Sequence, residues 1–321
     1  MWFEELKSDN HKVKLIIGND VEGNMFLTYF NNRSAAIGRE NYNYPMARTR
    51  ELTEPATADI NNDGCKDIIL FSQHFDTLFL NVFDIENKTS LLEDRFVTTI
   101  GGINDKEDYI INWIGSLDGA NGHVDYVYFS VAGAFSLYPR RVFRYSYRND
   151  SILTSSNTGS GNLGGILRKS HNDVFLYISG NAFNNTPVNY PYPYPDTCCW
   201  FFVYDKNLEF VFNPIPIGTH PANISKALIY NENINLLYWG LSSDSVQSQI
   251  LKIDHQGNIM DKINIQGQIH PEFFQYKIKK KLVYFFFDDY FNKVIEFIPE
   301  EFKIFDNKHL KKLKNMRPLL Q

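Results

Sequence analysis

The chain has 321 residues, 43% of them hydrophobic and 15% aromatic, enough for a substantial core and rich in the ring side chains that suit pleated sheets. A formal net charge of −5, with no basic stripe across the body of the chain, excludes nucleic acid as a partner. No apolar run approaches the ~20 residues of a membrane-spanning helix, and the opening "MWFEELKSDN" lacks the basic start and apolar stretch of a secretory leader.

In chain order, apolar β-type runs recur as "VKLIIGN" (13–19), "DIILFS" (67–72), "DYVYFSVAG" (125–133), "DVFLYISG" (173–180), "NLLYWG" (235–240) and "KLVYFFF" (281–287). Their spacing of roughly 45–60 residues suits repeated four-stranded blades. A more alternating strand follows each, clearest at 24–30, 77–88, 199–210, 248–259 and 292–302, with a looser match at 140–151. Several of these end in a hydrophobic residue and an Asp (Phe83-Asp84, Tyr204-Asp205, Ile253-Asp254), which reads as a hairpin turn into a weaker outer strand. A sandwich or an open solenoid shares these signals. A radial arrangement better explains why each repeat has one nearly uninterrupted apolar strand, placed innermost. The expectation is an all-β, single-domain β-propeller over residues 1–306 with about six or seven four-stranded blades. A short, basic C-terminal tail or connector at 307–321 follows it.

Before the second apolar run, "TADINNDGCKDIILF" (57–71) alternates oxygen-bearing side chains: Asp59, Asn61 and Asp63, then Gly64 at the bend. Such alternation lets a tight loop turn three side chains inward onto a hard cation, which takes six to eight oxygens. The backbone carbonyl of Cys65 and the carboxylate of Asp67 complete the expected metal set. An EF-hand is excluded, because the position of its bidentate acid is Leu70, inside a β-run. A metal-free turn, with side chains bonding their own backbone, reads from the same residues. The copy at 116–125 keeps Gly122 and Asp125 but carries an extra residue, and later repeats lack the carboxylates, so one site is expected.

This loop, set directly before a strand, resembles the FG-GAP/VCBS repeat of integrin-α-like propellers, found in bacterial surface proteins and sensor ectodomains. The resemblance implies calcium (Ca2+) in the loop, an extracytoplasmic location at the cell surface or in the periplasm, and a targeting signal not present in these residues.

Three cysteines, Cys65, Cys198 and Cys199, make neither a disulfide framework nor a zinc spacing. Catalytic motifs of the G-x-S-x-G, H-E-x-x-H and phosphate-loop kinds are absent, and "GSGNLGG" (159–165) reads as a bridge between blades. Acid pairs such as Asp288-Asp289 could serve a glycosidase. The insertion "NAFNNTPVNYPYPYPDTC" (181–198) alternates Tyr and Pro in an extended course. Its Tyr190, Tyr192 and Tyr194, with Trp200, are the candidate ligand-binding residues for a glycan, peptide or protein on the loop face, or else caps on a blade edge. The functional expectation is a non-catalytic ligand- or partner-binding propeller with one structural calcium loop. Two alternatives stand beside it: the sensor region of a larger bacterial signalling protein with a membrane tether outside these residues, and a carbohydrate-active enzyme.

Overall fold

The computed structural model describes residues 2–7, 12–31, 33–49, 56–99, 109–118, 124–133, 140–156, 163–170, 173–180, 198–218, 222–242, 245–278, 281–288 and 294–306. Among the described residues the regular elements are all β-strands. The first sheet holds β1 (Trp2–Lys7), β2 (Lys12–Asn19), β3 (Met25–Phe30) and β4 (Ala36–Asn41). A two-residue strand, β5 (Arg48–Thr49), precedes the second sheet of β6 (Ala56–Ala58), β7 (Asp67–His74), β8 (Thr77–Asp84) and β9 (Thr89–Thr99). The third sheet holds β10 (Tyr109–Asp118), β11 (Val124–Gly133), β12 (Arg140–Ser146) and β13 (Ser151–Thr154), with β5 added as a fifth strand beside β10. The fourth holds β14 (Leu163–Ser170), β15 (Asp173–Gly180), β16 (Cys199–Tyr204) and β17 (Ile215–Ile217). The fifth is β18 (Ala222–Tyr230), β19 (Asn233–Ser242), β20 (Ser245–Ile253) and β21 (Ile259–Gln266). The sixth is β22 (Ile269–Ile278), β23 (Lys281–Asp288), β24 (Val294–Ile298) and β25 (Lys303–Asp306).

The four strands of each blade run antiparallel in chain order, β5 being a parallel addition, and neighbouring sheets meet chiefly through their first strands, as β6 with β10, β10 with β14 and β18 with β22. This is a β-propeller, with six blades among the described residues. One detail of the expected repeat is corrected. The apolar runs form the second strand of each blade, and a less apolar strand lies inside them. A second strand has neighbouring blades against both of its faces, so it must be apolar on both. In β7, Ile68 and Leu70 pack toward blade one with Leu15 and Leu27, while Ile69 and Phe71 pack toward blade three with Val127 and Phe129. The Phe71 and Phe129 rings lie 4.8 Å apart, and Phe129 stacks on Phe143 at 5.3 Å. Each such fully buried ring contributes about 1.5–3 kcal/mol.

The passage from blade one to blade two is threaded through three blades. Ala47 N–H donates to the Phe71 carbonyl (2.9 Å), and Gln73 N–H donates to the Pro45 carbonyl (2.8 Å). Residues 45–47 thus line the half of β7 that the three-residue β6 leaves uncovered. The chain then crosses to blade three, where β5 pairs in parallel with Ile110 and Ile111 of β10.

Alternating strand directions sort the connections. In blade two, residues 59–66 (first to second strand) and 85–88 (third to fourth) lie at one end, and the turn at Phe75 and Asp76 (second to third) lies at the other.

Candidate metal centre

Asp67 opens β7 with no exposed surface. Its Oδ2 accepts the Ile60 N–H at 2.8 Å and the Asn61 N–H at 3.4 Å, while the buried Oδ1 has no hydrogen-bond partner. Burial, then the nearby carboxylates of Asp84 and Asp63, push its pKa up to about 7, against the two backbone N–H groups that pull it down. Ahead of it, Asp59 gathers the loop: Oδ1 accepts the Asp63 N–H (3.1 Å) and Oδ2 the Gly64 N–H (3.1 Å). Asn61 Oδ1 also takes the Asp63 N–H (3.0 Å), and Asp63 Oδ1 takes that of Cys65 (2.8 Å). Gly64 adopts φ +90°, the left-handed region that favours glycine.

Sequence reasoning placed Asp59, Asn61, Asp63, Cys65 and Asp67 together, and all five occupy this loop. It missed Asp84, the last residue of β8 and almost fully buried. The Asn61 Nδ2 group donates to Asp63 Oδ2 at 3.0 Å and to Asp84 Oδ2 at 3.1 Å, bridging two carboxylates. Asp84 Oδ1 in turn accepts the Asn87 N–H at 2.9 Å. Glu86 reaches the same spot, its Oε2 lying 3.9 Å from the Cys65 thiol. The signal for Asp84 in the sequence is the hydrophobic-Asp turn that it begins.

Among the described residues, no three Asp, Glu, His or Cys side chains already converge at metal-ligand distance. The loop is a hydrogen-bonded turn in which an amide nitrogen lies between acids. Its donor types nonetheless fit a hard divalent cation: side-chain oxygens of Asp59, Asn61, Asp63, Asp67 and Asp84, and the Cys65 carbonyl. The unpartnered Asp67 Oδ1 is the specific observation behind that fit, because a buried carboxylate oxygen without a partner is costly.

Trp200 lies on β16, half-buried against the cluster of Tyr128, Val142, Phe202, Tyr204 and Leu208 that joins blades three and four. Tyr190, Tyr192 and Tyr194 lie outside the described residues, as do Gly122 of the degenerate copy and residues 307–321. Asp125 is exposed on β11. The last three residues of "GSGNLGG" belong to β14 rather than to a connection. Cys65, Cys198 and Cys199 form no disulfide.

No protein-family profile and no curated protein matches the chain. Solved structures do. Dihydro-heme d1 dehydrogenase NirN in complex with DHE is 9% identical, with 94% of this chain and 54% of that chain covered and a TM-score of 0.48. The Dos1 propeller is 14% identical, with 91% and 64% covered and a TM-score of 0.46. The tricorn protease is 11% identical, with 96% and 30% covered and a TM-score of 0.41. The chain thus spans about half the length of the NirN chain and less than two thirds of the Dos1 chain. At these identities and scores the likenesses carry no function across, and the propeller assignment rests on the six sheets themselves.

Proposed function

We propose that the chain is a non-catalytic, extracytoplasmic binding propeller whose second blade is pinned by one calcium ion in the FG-GAP-like loop between β6 and β7. The observation that carries this reading is the buried Asp67 carboxylate, with one oxygen unpartnered beside Asp63 and Asp84. Removing a carboxylate from water costs several kcal/mol unless a counter-charge or hydrogen bonds offset it. Two backbone N–H groups satisfy one oxygen only, so a cation would answer the remaining demand. Asp59, Asn61, Asp63 and Asp84 are the neighbours that would share it. Its role is to stiffen the entrance to β7. Extracellular calcium modules hold the ion with Kd values of about 0.1–1 mM, which suits a location outside the cytoplasm. Recognition falls to residues elsewhere on the blades, with Tyr190, Tyr192 and Tyr194 of the insertion and Trp200 on β16 as candidates.

The test is a thermal melt in chelator and then in calcium. An ion at about tenfold its Kd adds roughly 1.4 kcal/mol, which raises Tm by a few degrees in a chain of this size. Asp63→Ala and Asp67→Asn should lose that response, and the same magnesium concentration should reproduce little of it. If the parent protein melts identically with and without calcium, and calorimetric titration shows no binding, the metal reading fails.

A further inference from the structure

On the blade-one side of blade two, away from the acidic loop, lies an aromatic strip that ends in exposed rings. The Tyr44 ring is sandwiched between His74 (4.5 Å, 13° between planes) and Phe79 (4.8 Å, 15°). Phe75 sits against His74 at 4.4 Å. Phe96 pairs with Phe79 across strands β8 and β9, extending the strip. Two of these rings face water: Phe75 is 66% and Phe96 49% exposed.

Phe75 is also held at φ +48°, in the left-handed region. Asn or Gly tolerates that conformation far better than a bulky ring. A strained, solvent-facing aromatic at a hairpin tip works against stability twice, through backbone energy and through exposed apolar surface. Such outliers gather at ligand sites.

Polar groups with matched geometry border the strip. Asn81, behind Phe79 on the same face of β8, donates to Ser72 Oγ (2.9 Å) and accepts the Asp94 N–H (2.7 Å). That bond holds Asp94 at φ +47° in the irregular β8–β9 register. Asn43, next to Tyr44, donates to Asp94 Oδ2 at 3.0 Å. Flat rings and a fixed carboxylate–amide pair therefore share one edge.

We infer that Tyr44, His74, Phe75 and Phe79, with Asp94 and Asn43, form a binding platform for a neutral saccharide. A pyranose ring has an apolar C–H face, which is drawn to the electron-rich face of an aromatic ring, here the exposed Phe75 at the end of the stack that Tyr44, His74 and Phe79 hold in place. Its hydroxyl groups are donors for Asp94 and acceptors for Asn43. The surrounding acids Asp76, Glu93 and Asp94 disfavour phosphates and other anions, which sets nucleotides aside. This inference deepens the reading of the chain as a binding module by naming a surface and a ligand class.

The full chain, in calcium-containing buffer, is applied to a printed array of neutral oligosaccharides and to a peptide array. Binding to at least one saccharide is expected. Calorimetric titration with the best-binding oligosaccharide should show at least tenfold weaker affinity in Tyr44→Ala and in Phe75→Asn. Phe75→Asn relieves the strained conformation, so its Tm should equal or exceed that of the parent, whereas a purely structural phenylalanine would lower it. Retention of peptides alone, or of no saccharide, overturns the inference. So does saccharide binding unchanged in both variants, although that result leaves the binding-module reading standing with its site elsewhere. The calcium melt is a separate measurement, so failure of the metal site and failure of this platform are told apart.

Discussion

Asp67 begins a strand and ends an acidic loop, and these two roles set its protonation. The unfolded side chain titrates near 3.8, and the folded one near 7. Below about pH 4 both states hold the proton, and the stabilisation from proton binding is fully present. Between about 4 and 7 the unfolded chain releases its proton first, so stability falls as pH rises through the folded value, by at most about 1.4 kcal/mol per pH unit, and then levels off. In chelator, urea denaturation should therefore find Asp67→Asn nearly free of this component of the slope. It should also find that variant more stable than the parent at pH 8, by a few kcal/mol at most. A lower stability of the variant at pH 8 would count against this account. Gly64 tests the same loop by conformation. A Cβ there would meet open space, so Gly64→Ala acts through φ alone and should cost about 1–2 kcal/mol in chemical denaturation.

At the scale of the strand, legibility followed burial. The second strands could be read because packing on both faces demands unbroken apolar runs, as in β7. The Asp turns could be read because their chemistry is local: Asp205 Oδ1 accepts the Asn207 and Glu209 N–H groups, and Asp254 Oδ1 those of Gln256 and Asn258. The innermost strands were hidden. β6 is three residues long, and β14 opens Leu-Gly-Gly, so neither shows a period that sequence alone could assign. The acidic loop was visible as a contiguous motif. The nearness of Asp84 to that loop and the Tyr44–His74 stack were not, because pairing of distant strands brings their members together. Two substitutions separate the kinds of packing in β8. Leu80→Ala empties a fully buried site between blades and should cost about 2–5 kcal/mol. Asn81→Ala removes the donor to Ser72 Oγ and strands the Asp94 N–H, and should cost about 1–3 kcal/mol by the same denaturation measurement.

Across the whole molecule, adjoining blades are joined by apolar clusters and by polar ties at their outer rims. Arg95 Nε reaches Asp150 at 2.8 Å between blades two and three, and Arg144 donates to the Lys206 carbonyl between blades three and four. The Arg95–Asp150 pair is solvent-screened, so Arg95→Ala should cost less than about 1 kcal/mol. The threaded passage before blade two has a different kind of consequence, in the order of synthesis. Every blade is built from one contiguous stretch, so each can close soon after its last strand leaves the ribosome. β5 breaks this rule, because its partner β10 is translated about 60 residues later. At ~5–20 residues per second, that segment waits several seconds with its edge unsatisfied, and blade two cannot settle finally until blade three arrives.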